Sequence, residues 1–144
     1  MSAASDSSPL ALTPLNALHR ELGARMVGFA GYDMPVNYPA GILAEHRHCR
    51  SAAALFDVSH MGQISVSGEG AAAALESVLP IDVMGLAVGK QRYGFFTNSA
   101  GGILDDMMIT RRADDYLLVV NASNKAADLA LLERDIGHRC NVRA

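Results

Sequence analysis

The chain has 144 residues, 50% of them hydrophobic and 19% charged, with a formal net charge of -3. That balance supports a packed globule and excludes disorder for all but the ends. The acidic excess leaves no basic footprint for nucleic acid or an anionic membrane, and two cysteines are too few for a disulfide framework, so a reducing compartment is expected.

Met1 to Leu12 carry Ser, Ala and an Asp but no Arg, which fits neither a secretory signal nor a transit peptide. Residues 1–12 therefore read as a flexible tail and the chain as cytoplasmic. No apolar run approaches the roughly 18 residues needed to cross a bilayer. Thr13-Pro14 has the N-cap and first-turn residues of a short helix, and Gly23 closes it. Met26 to Pro39, rich in Gly, Pro and Tyr without a sustained period, reads as a strand fragment followed by an extended loop. Ala40 to Leu55 is helical, with Ile42, Cys49, Ala53 and Phe56 as its expected buried face.

The second half is more regular. Gln63 to Ser67 alternates as a strand, and Ala71 to Leu79 is an Ala-rich helix. Arg92 to Thr97 and Ile103 to Thr110 form a hairpin across Asn98-Ser99-Ala100-Gly101-Gly102, whose glycines can take positive φ. Arg111 to Asp115 turns the chain into the apolar strand Tyr116 to Val120. Ser123 is placed to cap a helix over Lys125 to Ile136, with Leu129 and Leu132 on its inner face. A last strand at Asn141 to Arg143 stops as it starts, so the chain is expected to be cut from a longer one. The fold class is α+β, a mostly antiparallel sheet with packed helices.

Several stretches carry possible chemistry. Gly68-Glu69-Gly70 follows a strand and opens a helix, as a dinucleotide loop does. The strand before it alternates, however, and no acidic residue ends a second strand at the required distance. A turn with a helix cap is the better reading. His46 and His48 cannot share a helix face, which leaves only His46 and Cys49 to converge, too few ligands for zinc. His60 has the right imidazole for a general base, yet a lone His beside Met61 is more often positional.

Asp105-Asp106 is the sharper signal, because two carboxylates in an apolar strand carry a desolvation cost that something must offset. Successive strand residues face opposite ways, so Asp105 aligns with Ile103, Met107 and Ile109, and Asp106 with Leu104, Met108 and Thr110. The two cannot share a proton. One should face a pocket. Tyr93 and Asn121 lie in or just after the strands flanking the Asp strand in sequence, and can line one patch with Asp106 and Met61.

Phe56-Asp57-Val58-Ser59-His60-Met61-Gly62 and Gly101-Gly102-Ile103-Leu104-Asp105-Asp106 resemble motifs of the folate-dependent aminomethyltransferases of the glycine cleavage system, the T-protein family. So do Leu22-Gly23-Ala24-Arg25-Met26-Val27, Phe29-Ala30-Gly31-Tyr32-Asp33-Met34-Pro35 and Val119-Val120-Asn121-Ala122-Ser123-Asn124. The resemblance runs from Leu12 onward and covers the amino-terminal part of that family. It implies a share of a three-lobed fold: residues 13–55 as the incomplete start of the first lobe and 56–144 as the second. It also implies transfer of the aminomethyl group carried on the lipoyl arm of H-protein to tetrahydrofolate, with release of ammonia.

By the same resemblance Asp106 matches the catalytic carboxylate, and Met61, Tyr93, Val119 and Asn121 match folate-contacting positions. Ser65 stands where relatives can carry a larger apolar residue. Tetrahydrofolate is the implied acceptor, with no metal, nicotinamide or flavin, and H-protein the implied partner. The downstream Tyr, Glu and Arg residues of the family's site would lie beyond Ala144, so the chain alone is expected to be inactive, to hold only part of the site, and to self-associate. The alternative is a non-catalytic folate-binding module, related to lobes of dimethylglycine or sarcosine dehydrogenase or to a folate protein of iron-sulfur assembly.

Overall fold

A computed structural model describes residues 9–144, which form two compact units divided after His60. The part of the expected tail before residue 9 lies outside the described residues. In the first unit, β1 (Ala11–Leu12), α1 (Asn16–Glu21), β2 (Arg25–Phe29), β3 (Tyr32–Asn37) and α2 (Ile42–Ser51) follow one another. The sheet order is β1-β3-β2.

This unit departs from the sequence reading in four places. Ala11 and Leu12, expected as the end of a tail, pair in parallel with Tyr32 and Asp33. The strand fragment and extended loop expected over Met26 to Pro39 are instead a two-stranded hairpin, turned by Ala30 and Gly31 at φ 49 and 81. Pro35 obscures β3 in the sequence; it is tolerated because β1 covers only Tyr32 and Asp33, and because it pairs beside a register shift in β2. Thr13 caps nothing with its side chain, since its hydroxyl donates to Asp57, and α1 begins at Asn16. Finally, α2 ends at Ser51, short of the expected Leu55, and has no buried residue; Ile42 within it and Phe56 beyond it are 60% and 69% exposed, so the expected inner face is absent.

The second unit matches its expected order closely. It contains β4 (Gly62–Ser67), α3 (Ala71–Glu76), β5 (Gln91–Thr97), β6 (Ile103–Arg111), β7 (Asp115–Val120), α4 (Lys125–Ile136) and β8 (Asn141–Arg143). The five strands are ordered β5-β6-β7-β4-β8, and every pairing is antiparallel. Asn98 holds the β5–β6 loop by accepting backbone N–H bonds from Ala100 and Gly102 at 3.0 and 2.9 Å, while Gly101 takes φ 78.

One face of this sheet is buried. Ile64, Val66, Phe96, Met107, Ile109, Leu118 and Val120 pack against Ala74 and Leu75 of α3 and Leu132 and Ile136 of α4. Apolar burial of this kind is the main stabilising term for such a unit. The α4 stripe runs through Asp128, Leu132 and Ile136, with Leu129 only partly buried. Ser123 is not its cap; Asn124 takes the N-cap position without a side-chain cap bond, because its amide serves Asp105. No helix among the described residues is long and apolar enough to cross a membrane.

Candidate functional site

Strand pairing decides which side chains meet. Tyr93 lies opposite Met108, Met108 opposite Val119, and Val119 opposite Gln63. Phe95 lies opposite Asp106. Alternation then puts Tyr93, Asp106 and Val119 on the face away from the helices, and Met61 and Asn121 continue that face just beyond β4 and β7. The five residues that match the family's site positions thus lie on or at the margin of one face of one sheet, while Asp105 faces the core. Ser65 shares the site face, opposite Leu117.

Asp106 is half-buried there and is held by Asn121. The Asn121 amide nitrogen donates to Asp106 Oδ1 at 3.0 Å and to the Asp106 carbonyl at 3.2 Å. The same nitrogen reaches Asp105 Oδ1 at 2.9 Å. One carboxamide therefore joins two carboxylates that the strand sends to opposite faces. Tyr93 is 54% exposed and stacks edge-on against Phe95, with ring centroids 5.0 Å apart. Its phenol is pushed above the ordinary value, first by desolvation and then by the neighbouring Asp106 and Asp105 carboxylates. It stays a proton donor at neutral pH. The apolar part of the patch comes from Met61, Met108 and Val119, half-buried side chains beside a few convergent polar groups.

Asp105 follows Met107 and Ile109 to the core face and is 8% exposed. Burial would raise its pKa, but hydrogen bonds from Asn121, Asn124, the Asp106 backbone and Asp128 together hold it below the usual carboxylate value. Asp128, on α4, escaped the sequence reading. It is 3% exposed, and desolvation followed by the Asp105 contact pushes it up to about 7. An acidic residue one turn before Leu132 on the buried stripe was the available signal.

β4 is antiparallel to both neighbours, so Gly68-Glu69-Gly70 does not open a parallel βαβ unit and the nucleotide reading falls. Among the described residues, no three His, Cys, Asp or Glu side chains are grouped to hold a metal. His60 makes edge-type ring contacts with Phe29 and Tyr32, with ring centroids 5.8 and 6.2 Å apart.

Residues 15–144 match the protein family described as the GCVT N-terminal domain. The chain belongs to that family. The mitochondrial aminomethyltransferase of Dictyostelium discoideum is 46% identical over 132 residues, 92% of this chain and 33% of that protein. The aminomethyltransferase of Deinococcus deserti is 49% identical over 122 residues, 84% of this chain and 34% of that protein. In structure the chain resembles the glycine cleavage system aminomethyltransferase T of Bartonella henselae, with a TM-score of 0.89 and 45% identity, covering 92% of this chain and 37% of the other. It thus spans about a third of the length of these relatives.

Within this GCVT N-terminal domain, the first unit has a polar centre of its own. Asp57 accepts from Thr13 Oγ1 at 3.0 Å, from the His19 ring at Nε2 at 2.8 Å, and from the Ser59 backbone N–H at 2.8 Å. With Nε2 donating, His19 Nδ1 accepts the Tyr38 hydroxyl at 2.7 Å. Burial pushes the Tyr38 phenol up, and the charges of Glu45 and Asp57 add to it. The phenol is a donor to His19, so the arrangement holds Asp57 and Ser59 in place rather than activating a nucleophile. Tyr38 and Asp57 also border a groove of about 800 Å³, lined mainly by apolar residues including Met34, Cys49 and Phe56.

Proposed function

We propose that this chain contributes the carboxylate half of a site for tetrahydrofolate-dependent aminomethyl transfer, with H-protein's lipoyl arm as donor. The observation that carries the reading is Asp106, half-buried and fixed by Asn121 on the same sheet face as Tyr93, Met61 and Val119. The family and the aminomethyltransferase relatives support it.

The chemistry suits these residues. In the transfer the methylene carbon loses its bonds to nitrogen, which leaves as ammonia, and to the lipoyl sulfur, which leaves as the thiol, while two folate nitrogens bond to it and give up their protons to the leaving groups; positive charge builds at that carbon as ammonia departs. A fixed carboxylate with restricted water access stabilises that charge, because its dipolar surroundings need no reorganisation during the step. Asp106 takes this role. Asn121 holds the carboxylate in place, Tyr93 offers a hydroxyl for a polar ring edge, and Met61 and Val119 give an apolar surface for a flat heterocycle. The two cysteines are unbridged, in keeping with a reducing compartment such as the cytoplasm.

Calorimetric titration of the full-length gene product that carries this sequence, with tetrahydrofolate and separately with NADH, tests the ligand. Binding of tetrahydrofolate, weakened by Tyr93→Ala, is expected. Tight NADH binding with no response to tetrahydrofolate would refute the reading.

A further inference from the structure

The Asp106–Asn121 pair is backed by a second acidic pair. Asp105 and Asp128 are both more than nine-tenths buried, one from β6 and one from α4, and they contact each other. The Oδ2 atom of each is sealed from water and takes no hydrogen from an amide, hydroxyl or cation. Two charged carboxylates would repel strongly in such surroundings, and each buried oxygen would be left without a donor. A single proton held between the two groups removes both penalties, turning the contact into an O–H···O⁻ hydrogen bond.

We propose that Asp128 is a positioning residue for the Asp106 site: it keeps one proton against Asp105, so that Asp105 remains an acceptor that anchors the Asn121 amide on Asp106. This rests on the reading of Asp106 as the working carboxylate. The amide has two hydrogens and three acceptors, at 2.9, 3.0 and 3.2 Å, so its orientation depends on which carboxylates are charged. If Asp128 lost its proton, three negative charges would crowd one corner of the sheet. If Asp105 took the proton toward Asn121, the carboxamide would lose its anchor. The other titratable groups nearby are Asp106 on β6, Tyr93 on β5, and Lys125, which begins α4 and whose stem lies over Gly62 of β4. The pKa of Asp128, raised to about 7 by burial and by Asp105, agrees with a retained proton.

Carboxyl-carbon NMR titration of this chain tests the pair. One proton shared by Asp105 and Asp128 should persist to near neutrality, and normal titration of both groups near the usual carboxylate value would overturn the proposal. The Asn121 side-chain amide signals test the coupling. They should be nearly unchanged in Asp128→Asn, whose amide can donate to Asp105 in place of the proton, and displaced in Asp128→Ala. Unchanged Asn121 signals in Asp128→Ala would overturn it, and if that variant does not fold, the wild-type titration still decides. In the full-length gene product, Asp128→Ala should lower kcat about tenfold or more with KM little changed, and Asp128→Asn should restore it. Absence of tetrahydrofolate binding alongside an intact shared proton would count against the folate reading and not against the pair.

Discussion

Asp57 and Asp128 are both buried carboxyl groups, and burial has opposite outcomes for them because their partners differ. Burial would raise Asp57, yet hydrogen bonds from His19, Ser59 and Thr13 outweigh it and hold its pKa well below the ordinary 3.8. The stability it contributes is present above the unfolded value and lost as pH falls below it. Asp128 is raised from 3.8 to about 7, so the folded state prefers its acid form. Its contribution is most favourable below about pH 4 and declines as pH rises toward 7. Thermal melts across pH should therefore show stability falling on both sides of a maximum on the acid side of neutrality. Asp128→Asn should flatten the fall between about pH 4 and 7 and gain on the order of 1–3 kcal/mol at pH 8. Asp57→Ala should cost about 2–4 kcal/mol near neutrality, since it leaves buried donors without an acceptor. A steeper fall with rising pH in Asp128→Asn would contradict the sign assigned here. Asp106 was legible because a carboxylate in an apolar strand is conspicuous. Asp128 was not, because an acidic residue on an amphipathic helix looks like part of a solvated face until its neighbours are known.

Among the elements, the second unit was readable from alternation and turn chemistry. Strands such as Ile103 to Thr110 bury one face against two helices, so their side chains must alternate. The first unit was harder. Its hairpin contains Pro35, a buried Asp33 held by Asn16 and Arg20, and a turn beginning at Ala30, none of which follows a simple period. Ala30 sits in the left-handed region at φ 49, where a Cβ is unfavourable. Ala30→Gly should be neutral to stabilising by up to about 1 kcal/mol in a denaturant melt, and a clear loss would show that the Ala30 methyl makes a contact that matters. Gly62 poses the reverse case. A Cβ there would lie 2.6 Å from both Val120 Cγ2 and Lys125 Cβ, where β4 runs beneath the start of α4. Gly62→Ala should destabilise by about 1–3 kcal/mol and displace the Asn121 corner of the site.

For the molecule as a whole, the governing fact is that the chain spans about a third of the length of its aminomethyltransferase relatives. On the proposed reading that the chain carries only part of the site, these 144 residues alone should show no turnover and weak folate affinity: a charged contact contributes about 1.5–3 kcal/mol, so two supplied from elsewhere would be worth roughly 10²- to 10⁴-fold. Their exposed apolar side chains, Leu43, Leu55 and Phe56 among them, should favour self-association, measurable by light scattering. Robust activity from a monodisperse monomer would contradict that expectation. The most direct test of the central claim is aminomethyl transfer itself, followed as tetrahydrofolate-dependent ammonia release from aminomethyl-loaded H-protein by the full-length gene product and its Asp106→Asn variant. The variant should lose at least about 100-fold in kcat, as expected on removing a group that stabilises transition-state charge, while melting within a few degrees of the wild type. Wild-type turnover in a fully folded Asp106→Asn variant would remove this carboxylate from the mechanism.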